Sequence, residues 1–219
     1  MSPLSIDPDM RGEQYTLSVF VVDDDPDIRE SVAVALRPLK VPVECFASAE
    51  HFLENWNGPK PGCLLLDVRM SGMSGIELYQ QLLPEHSYLS IIIVTAHATV
   101  SMSVDALKKG ATDFLEKPYA PNTLRAVVDH GMKLSCVKWR ELLRKKEYQK
   151  LRDELSPREL EVYQLLLTGL ENKQIAVELG ISASTVEKHR LAVIRKMRID
   201  NPVQLLNQKI SASGVIDLD

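Results

Sequence analysis

The chain has 219 residues, 45% hydrophobic and 26% charged, with a formal net charge of −4 at pH 7, which excludes wholesale disorder and allows one large domain or two modest ones. It has no apolar run of about eighteen residues, which excludes a membrane-spanning helix, so no membrane partner is expected. Cys45, Cys63 and Cys136 are few, odd in number and far apart; neither a disulfide framework nor a cysteine metal site is expected, and a reducing, cytoplasmic setting is.

Residues 1–16 carry three acidic side chains and no apolar stretch, which predicts a flexible tail and no secretory signal. Five short runs follow: LSVFVVD (17–23), VPVECF (41–46), CLLLD (63–67), IIIVT (91–95) and TDFLEK (112–117). Apolar and β-branched runs of this length, closed by turn signals, predict strands buried on both faces. Between them the pattern predicts helices over 26–36, 48–55, 75–83 and 100–109, and one from Pro121 onward. Asp25 is placed as an N-cap, with Pro26 at the first helical position. Five strand–helix pairs over 17–132 predict a doubly wound (βα)5 fold, a parallel sheet with helices on both faces.

In such sheets chemistry gathers at the carboxyl ends of the strands. Asp23 and Asp24 close the first strand, Asp67 the third and Thr95 the fourth, while Lys117 follows the fifth. Three carboxylates in one crevice repel unless a cation joins them, and hard oxygen ligands that leave room for a phosphate suit Mg²⁺. A carboxylate can accept a phosphoryl group covalently. A lysine and a threonine hydroxyl would then neutralise its oxygens.

With VVDDD at 21–25, LLLDVRM at 64–70, VTA at 94–96 and EKP at 116–118, this half resembles the receiver domain of two-component signalling. The resemblance implies that Asp23, Asp24, Asp67 and the backbone carbonyl of Arg69 bind Mg²⁺ and that Asp67 is the phosphorylated residue. It makes Thr95 the switch hydroxyl, Phe114 the switch aromatic and Lys117 the cation that pairs with the phosphate, before a cis Lys117–Pro118 bond. Arg69 and His97 flank the acceptor and the switch threonine, where side chains can tune the lifetime of the phosphate. The sequence departs from the pattern at Ser71, where many receivers carry proline; Gly72 and Gly75 still allow a tight loop.

From Pro121 to about Leu151 helix formers dominate. Residues 121–150 hold 8 Lys+Arg against 3 Asp+Glu, whereas 17–120 hold 8 against 14. The last receiver helix is expected to run into a basic helical linker over 133–153. After it, 154–219 is expected to be a separate all-α domain. Ser156, Pro157 and Glu159 form a capping box that opens a helix ended by Gly169. NKQIAVEL, a turn at Gly180 and SASTVEKHRLAVIRKMR then read as a helix-turn-helix, whose second helix enters the major groove. A final helix is expected over 202–210.

The run LSPRELEVYQLLLTGLENKQIAVELGISASTVEKHRLAVIRKM resembles the LuxR-type DNA-binding domain. The whole is similar to response regulators of the FixJ/NarL type. The resemblance implies contacts to double-stranded promoter DNA from Lys173, Thr185, Glu187, Lys188, His189 and Arg190, with Arg195 and Lys196 as phosphate partners. Glu187, Lys188 and Leu191 are placed to face bases, although Leu191 equally fits the core. The implied function is a transcription factor, not an enzyme, in which a sensor histidine kinase phosphorylates Asp67 and so drives homodimerisation or domain release and sequence-specific DNA binding. Two alternatives remain at this point. One is an interaction module that is never phosphorylated. The other is a hydrolase using Asp67 as nucleophile, which Arg69 disfavours, because an acid is usual at that place.

Overall fold

The computed structural model describes residues 16–56, 60–82, 88–96, 108, 110–200, 204–205 and 209. His97, almost all of the helix expected over 100–109 and most of that over 202–210 lie outside the described residues, as does the tail through residue 15. Strands β1 (Ser18–Val22), β2 (Val43–Phe46), β3 (Gly62–Asp67), β4 (Ser90–Thr95) and β5 (Asp113–Glu116) form one sheet in the order β2-β1-β3-β4-β5. Every pairing is parallel, with Val19 opposite both Val43 and Cys63, and Ile93 opposite Phe114. The strand order reverses between β1 and β3, so a crevice opens at their carboxyl ends. β1, β3 and β4 are buried throughout. β2 and β5 are only partly buried, against expectation, because each is an edge strand with one neighbour.

Helices α1 (Pro26–Leu36), α2 (Ala49–Asn55), α3 (Gly75–Leu82) and α4 (Pro121–Asp153) follow the strands. The Asp25 carboxylate accepts from the Asp27 and Ile28 N–H groups, and Ser48 Oγ accepts from His51 N–H. Each cap satisfies donors that have no partner inside their helix. On one face of the sheet Val19, Val21, Cys63, Leu65, Ile92 and Val94 pack with Val32, Leu36, Leu124, Val128 and Met132, from α1 and α4. Strand alternation sends Phe20 to the other face. There its ring meets Phe52 and Trp56, with centroids 6.1 and 5.1 Å away.

The chain divides into two compact units between Trp139 and Arg140, within α4. The segment expected to be a linker is therefore shared between them. In the first unit Ser135 Oγ donates to Tyr88 O and accepts from Gly62 N–H, both at 2.8 Å, and Trp139 packs edge-on against Tyr88. In the second, Leu151 and Leu155 join a core of Val162, Tyr163, Leu166, Ile175, Val186, Val193 and Met197. That core sits among α5 (Pro157–Leu166), α6 (Asn172–Leu179) and α7 (Ala183–Lys196). The Ser156–Glu159 capping box is present, a cap of about 1 kcal/mol. Gly180 closes α6 at φ +63°, in the left-handed region where a side chain is strained, and Ser182 caps α7.

Candidate functional site

The ends of β1 and β3 and the residue after β5 meet at one ammonium. Lys117 Nζ lies 2.6 Å from Asp23 Oδ2 and 2.8 Å from Asp67 Oδ1. Both carboxylates are buried, at 4% and 6% exposure, and the remaining oxygens are supplied by their own loops. Asp25 N–H donates to Asp23 Oδ1 and Arg69 N–H to Asp67 Oδ2, at 3.0 and 2.7 Å. The Lys117–Pro118 bond is cis, and Lys117 N–H donates to Thr95 O. Thr95 is buried at the end of β4, and Phe114 is half-buried on β5. Asp24 is exposed and takes a different partner: its Oδ2 accepts from Ser71 N–H at 3.2 Å. Accordingly, the described residues gather no cluster of three acid, histidine or cysteine side chains able to hold a metal.

The loop after β3 is held from several sides. Glu50, on α2, accepts from Met73 N–H at 2.7 Å, a role invisible in the sequence because the two residues are 23 positions apart. Gly72 has φ +84°, and Gly75 sits so close to β3 that a Cβ on it would stand 2.0 Å from Asp67 O. Only glycine lets α3 begin this near the strand end.

In the second unit Glu187, Lys188, Leu191 and Arg195 lie exposed on α7, at the spacing of one helix face. Val186 and Val193 are fully buried, and Leu191 is 62% exposed, so the core alternative for Leu191 is corrected. Lys173 is exposed on α6; Thr185, His189 and Arg190 are half-buried. Two of the basic side chains hold the domain together. Arg190 Nη1 donates to Asn172 Oδ1 at 2.8 Å, and Lys196 Nζ donates to Glu159 Oε2 at 2.6 Å and Glu154 O at 3.0 Å.

Residues 19–129 match the family described as "Response regulator receiver domain", and residues 153–207 match "Bacterial regulatory proteins, luxR family". The chain belongs to the two-component response regulators. This response regulator is 38% identical over 204 residues to the transcriptional regulatory protein FixJ of Azorhizobium caulinodans, covering 93% of this chain and 96% of that one. It is 37% identical over 183 residues to the response regulator protein TodT of Pseudomonas putida, covering 84% and 81%. The solved structure of the response regulator StyR superposes with a TM-score of 0.79 at 39% identity, covering 89% of this chain and 98% of that one. Response regulators that join a receiver to a LuxR-type DNA-binding domain are transcription regulators, not enzymes, and the hydrolase alternative is set aside. A receiver domain implies a histidine kinase partner and typically binds Mg²⁺, and the helix-turn-helix implies DNA binding. Among the described residues no helix is long and apolar enough to cross a membrane.

Two buried carboxylates face one ammonium in the regulator's crevice, and the charges do not balance. Burial, its largest influence, raises the Asp67 carboxyl above its ordinary value; hydrogen bonding and charge from Lys117 oppose the rise, and the charge of Asp23 adds to it. Burial pulls Lys117 down, but its two carboxylate partners together outweigh that and hold it above the ordinary lysine value. Asp23 Oδ2 and Asp67 Oδ1 converge on one cation, and hard carboxylate oxygens of this kind are the donor chemistry that Mg²⁺ takes.

In the second unit the Lys196 hydrogen bond is the main reason the Glu159 carboxyl lies below its ordinary value. A depressed folded pKa stabilises above the unfolded value, here 4.5, and that stabilisation is lost as pH falls through the folded one. Glu159→Gln keeps the cap, since glutamine also serves in a capping box, but removes the ion pair. It should cost about 1 kcal/mol at neutral pH, read by hydrogen exchange of α5 amides. The difference from wild type should close on acidification below 4.5.

Proposed function

We propose that a sensor histidine kinase phosphorylates Asp67, and that Asp23, Asp24, Asp67 and the carbonyl of Arg69 hold Mg²⁺ for that transfer. The observation that carries this reading is the Lys117 ammonium held between Asp67 and Asp23. A carboxylate oxygen of Asp67 attacks the phosphorus of the kinase phosphohistidine; the bond to that histidine breaks and an acyl phosphate forms on Asp67. Bound Mg²⁺ supplies positive charge to the phosphoryl oxygens. Lys117 supplies further charge, and the Thr95 hydroxyl turns towards the new phosphoryl group as a donor. Phe114 follows Thr95, and the surface around β5 changes. Homodimerisation or release of the DNA-binding domain results, and a dimer presents two α7 helices to adjacent half-sites of promoter DNA.

On the DNA we assign Lys173, Thr185, Glu187, Lys188, His189, Arg190, Arg195 and Lys196 to the interface. The exposed Glu187 is suited to accept from cytosine N4, and Leu191 to meet a thymine methyl. Lys188 is placed to face bases, and Arg195 is suited to phosphates. Arg190 and Lys196 serve there with the donors their protein partners leave over. The working boundaries are a tail over 1–16, a receiver over 17–132, a linker over 133–153 and a DNA-binding domain over 154–219, in a cytoplasmic protein. The test is incubation with acetyl phosphate and Mg²⁺, followed by a phosphate-affinity gel. A Mg²⁺-dependent shifted band is expected in wild type and absent in Asp67→Ala. No band in wild type would favour an interaction module that is never phosphorylated.

A further inference from the structure

Ser71 stands where many receivers carry proline, and a proline there would have no N–H to give. In this chain that N–H reaches across 47 residues of sequence to Asp24 Oδ2, at 3.2 Å. Asp23 and Asp67 are drawn to Lys117, while the exposed Asp24 accepts from Ser71 in the loop after β3 instead. We propose that the Ser71 backbone N–H is a latch that holds the Asp24 carboxylate on this loop and competes with Mg²⁺ for it. The inference rests on the assignment of Asp24 to the metal.

Beyond Ser71 the loop has anchors of its own that do not involve the crevice. Met73 N–H is bound by Glu50, and Ser74 N–H by Glu77 Oε2 at 2.8 Å. Ser71 is thus the point at which the loop and a metal ligand are exchanged for one another. Linkage then runs both ways: whatever weakens the Ser71–Asp24 bond tightens Mg²⁺ binding, and Mg²⁺ binding frees the Ser71 amide. An orienting brace, in which Ser71 steadies Asp24 as a metal ligand, has the opposite sign.

The test is calorimetric titration of the full chain with MgCl₂ alone. Ser71→Pro deletes the N–H and should bind Mg²⁺ about fivefold more tightly than wild type. Ser71→Ala keeps the N–H and should bind like wild type. Equal or weaker binding by Ser71→Pro overturns the latch, and so does a change of the same size in Ser71→Ala. Should Ser71→Pro fail to fold, hydrogen exchange at Ser71 in wild type decides: faster exchange with Mg²⁺ supports the latch, and unchanged exchange overturns it. No Mg²⁺ binding by wild type would instead defeat the metal assignment itself.

Discussion

Replacing Lys117 by methionine is expected to destabilise the first unit by about 3 kcal/mol, because it leaves two buried carboxylates facing each other without a cation. The side chain is 16% exposed and its partners 5% and 8%, so solvent screens the loss little. Both tryptophans of the chain, Trp56 and Trp139, lie in the first unit, and their fluorescence in urea follows that unit alone. The folded pKa of Lys117 is raised, so its stabilisation is full below the ordinary value of 10.5 and is lost only as pH rises through the folded one. The deficit should therefore persist across neutral pH and shrink in acid, as Asp67 protonates. Phosphoryl transfer from acetyl phosphate should fall by about a hundredfold. An unchanged urea midpoint would mean that the ion pairs contribute nothing to folding.

Asp67→Asn should move stability the other way. The raised pKa of Asp67 means that the folded protein binds this proton more tightly than the unfolded chain does. Its contribution is full below the ordinary value of 3.8 and is lost as pH rises through the folded one. At neutral pH the ionised carboxylate is thus a burden on the fold, and asparagine relieves it, leaving Lys117 paired one-to-one with Asp23. The variant should be more stable than wild type at pH 7 by on the order of 1 kcal/mol, read by the same fluorescence. The two proteins should converge below 3.8. It should also take no phosphate. An Asp67→Asn protein less stable than wild type at pH 7 would show that Lys117 more than compensates the buried charge.

These opposed effects have one cause. The crevice keeps more negative charge than its own cation balances. The resulting cost in folding is one that a bound cation would offset.

The elements and what stands at their ends are written locally in the chain. A period of two or of 3.6 residues is a local property, and so are an N-cap at Asp25 and a capping box at Ser156 and Glu159; each was legible within a few residues. The strand-end residues Asp23, Asp67 and Thr95 followed from the same pattern, because a parallel sheet aligns the ends of its strands. Which donors these residues meet depends on how the elements pack. Lys117 divides itself between partners 94 and 50 positions away, and Lys196 turns inward to Glu159, 37 positions away. Leu191 faces solvent rather than core, because Val186 and Val193 on the same helix take the core positions. The Ser71 amide reaches Asp24 because two loops from neighbouring strands fold over one crevice. Such pairings depend on how distant elements pack, and no local periodicity records that.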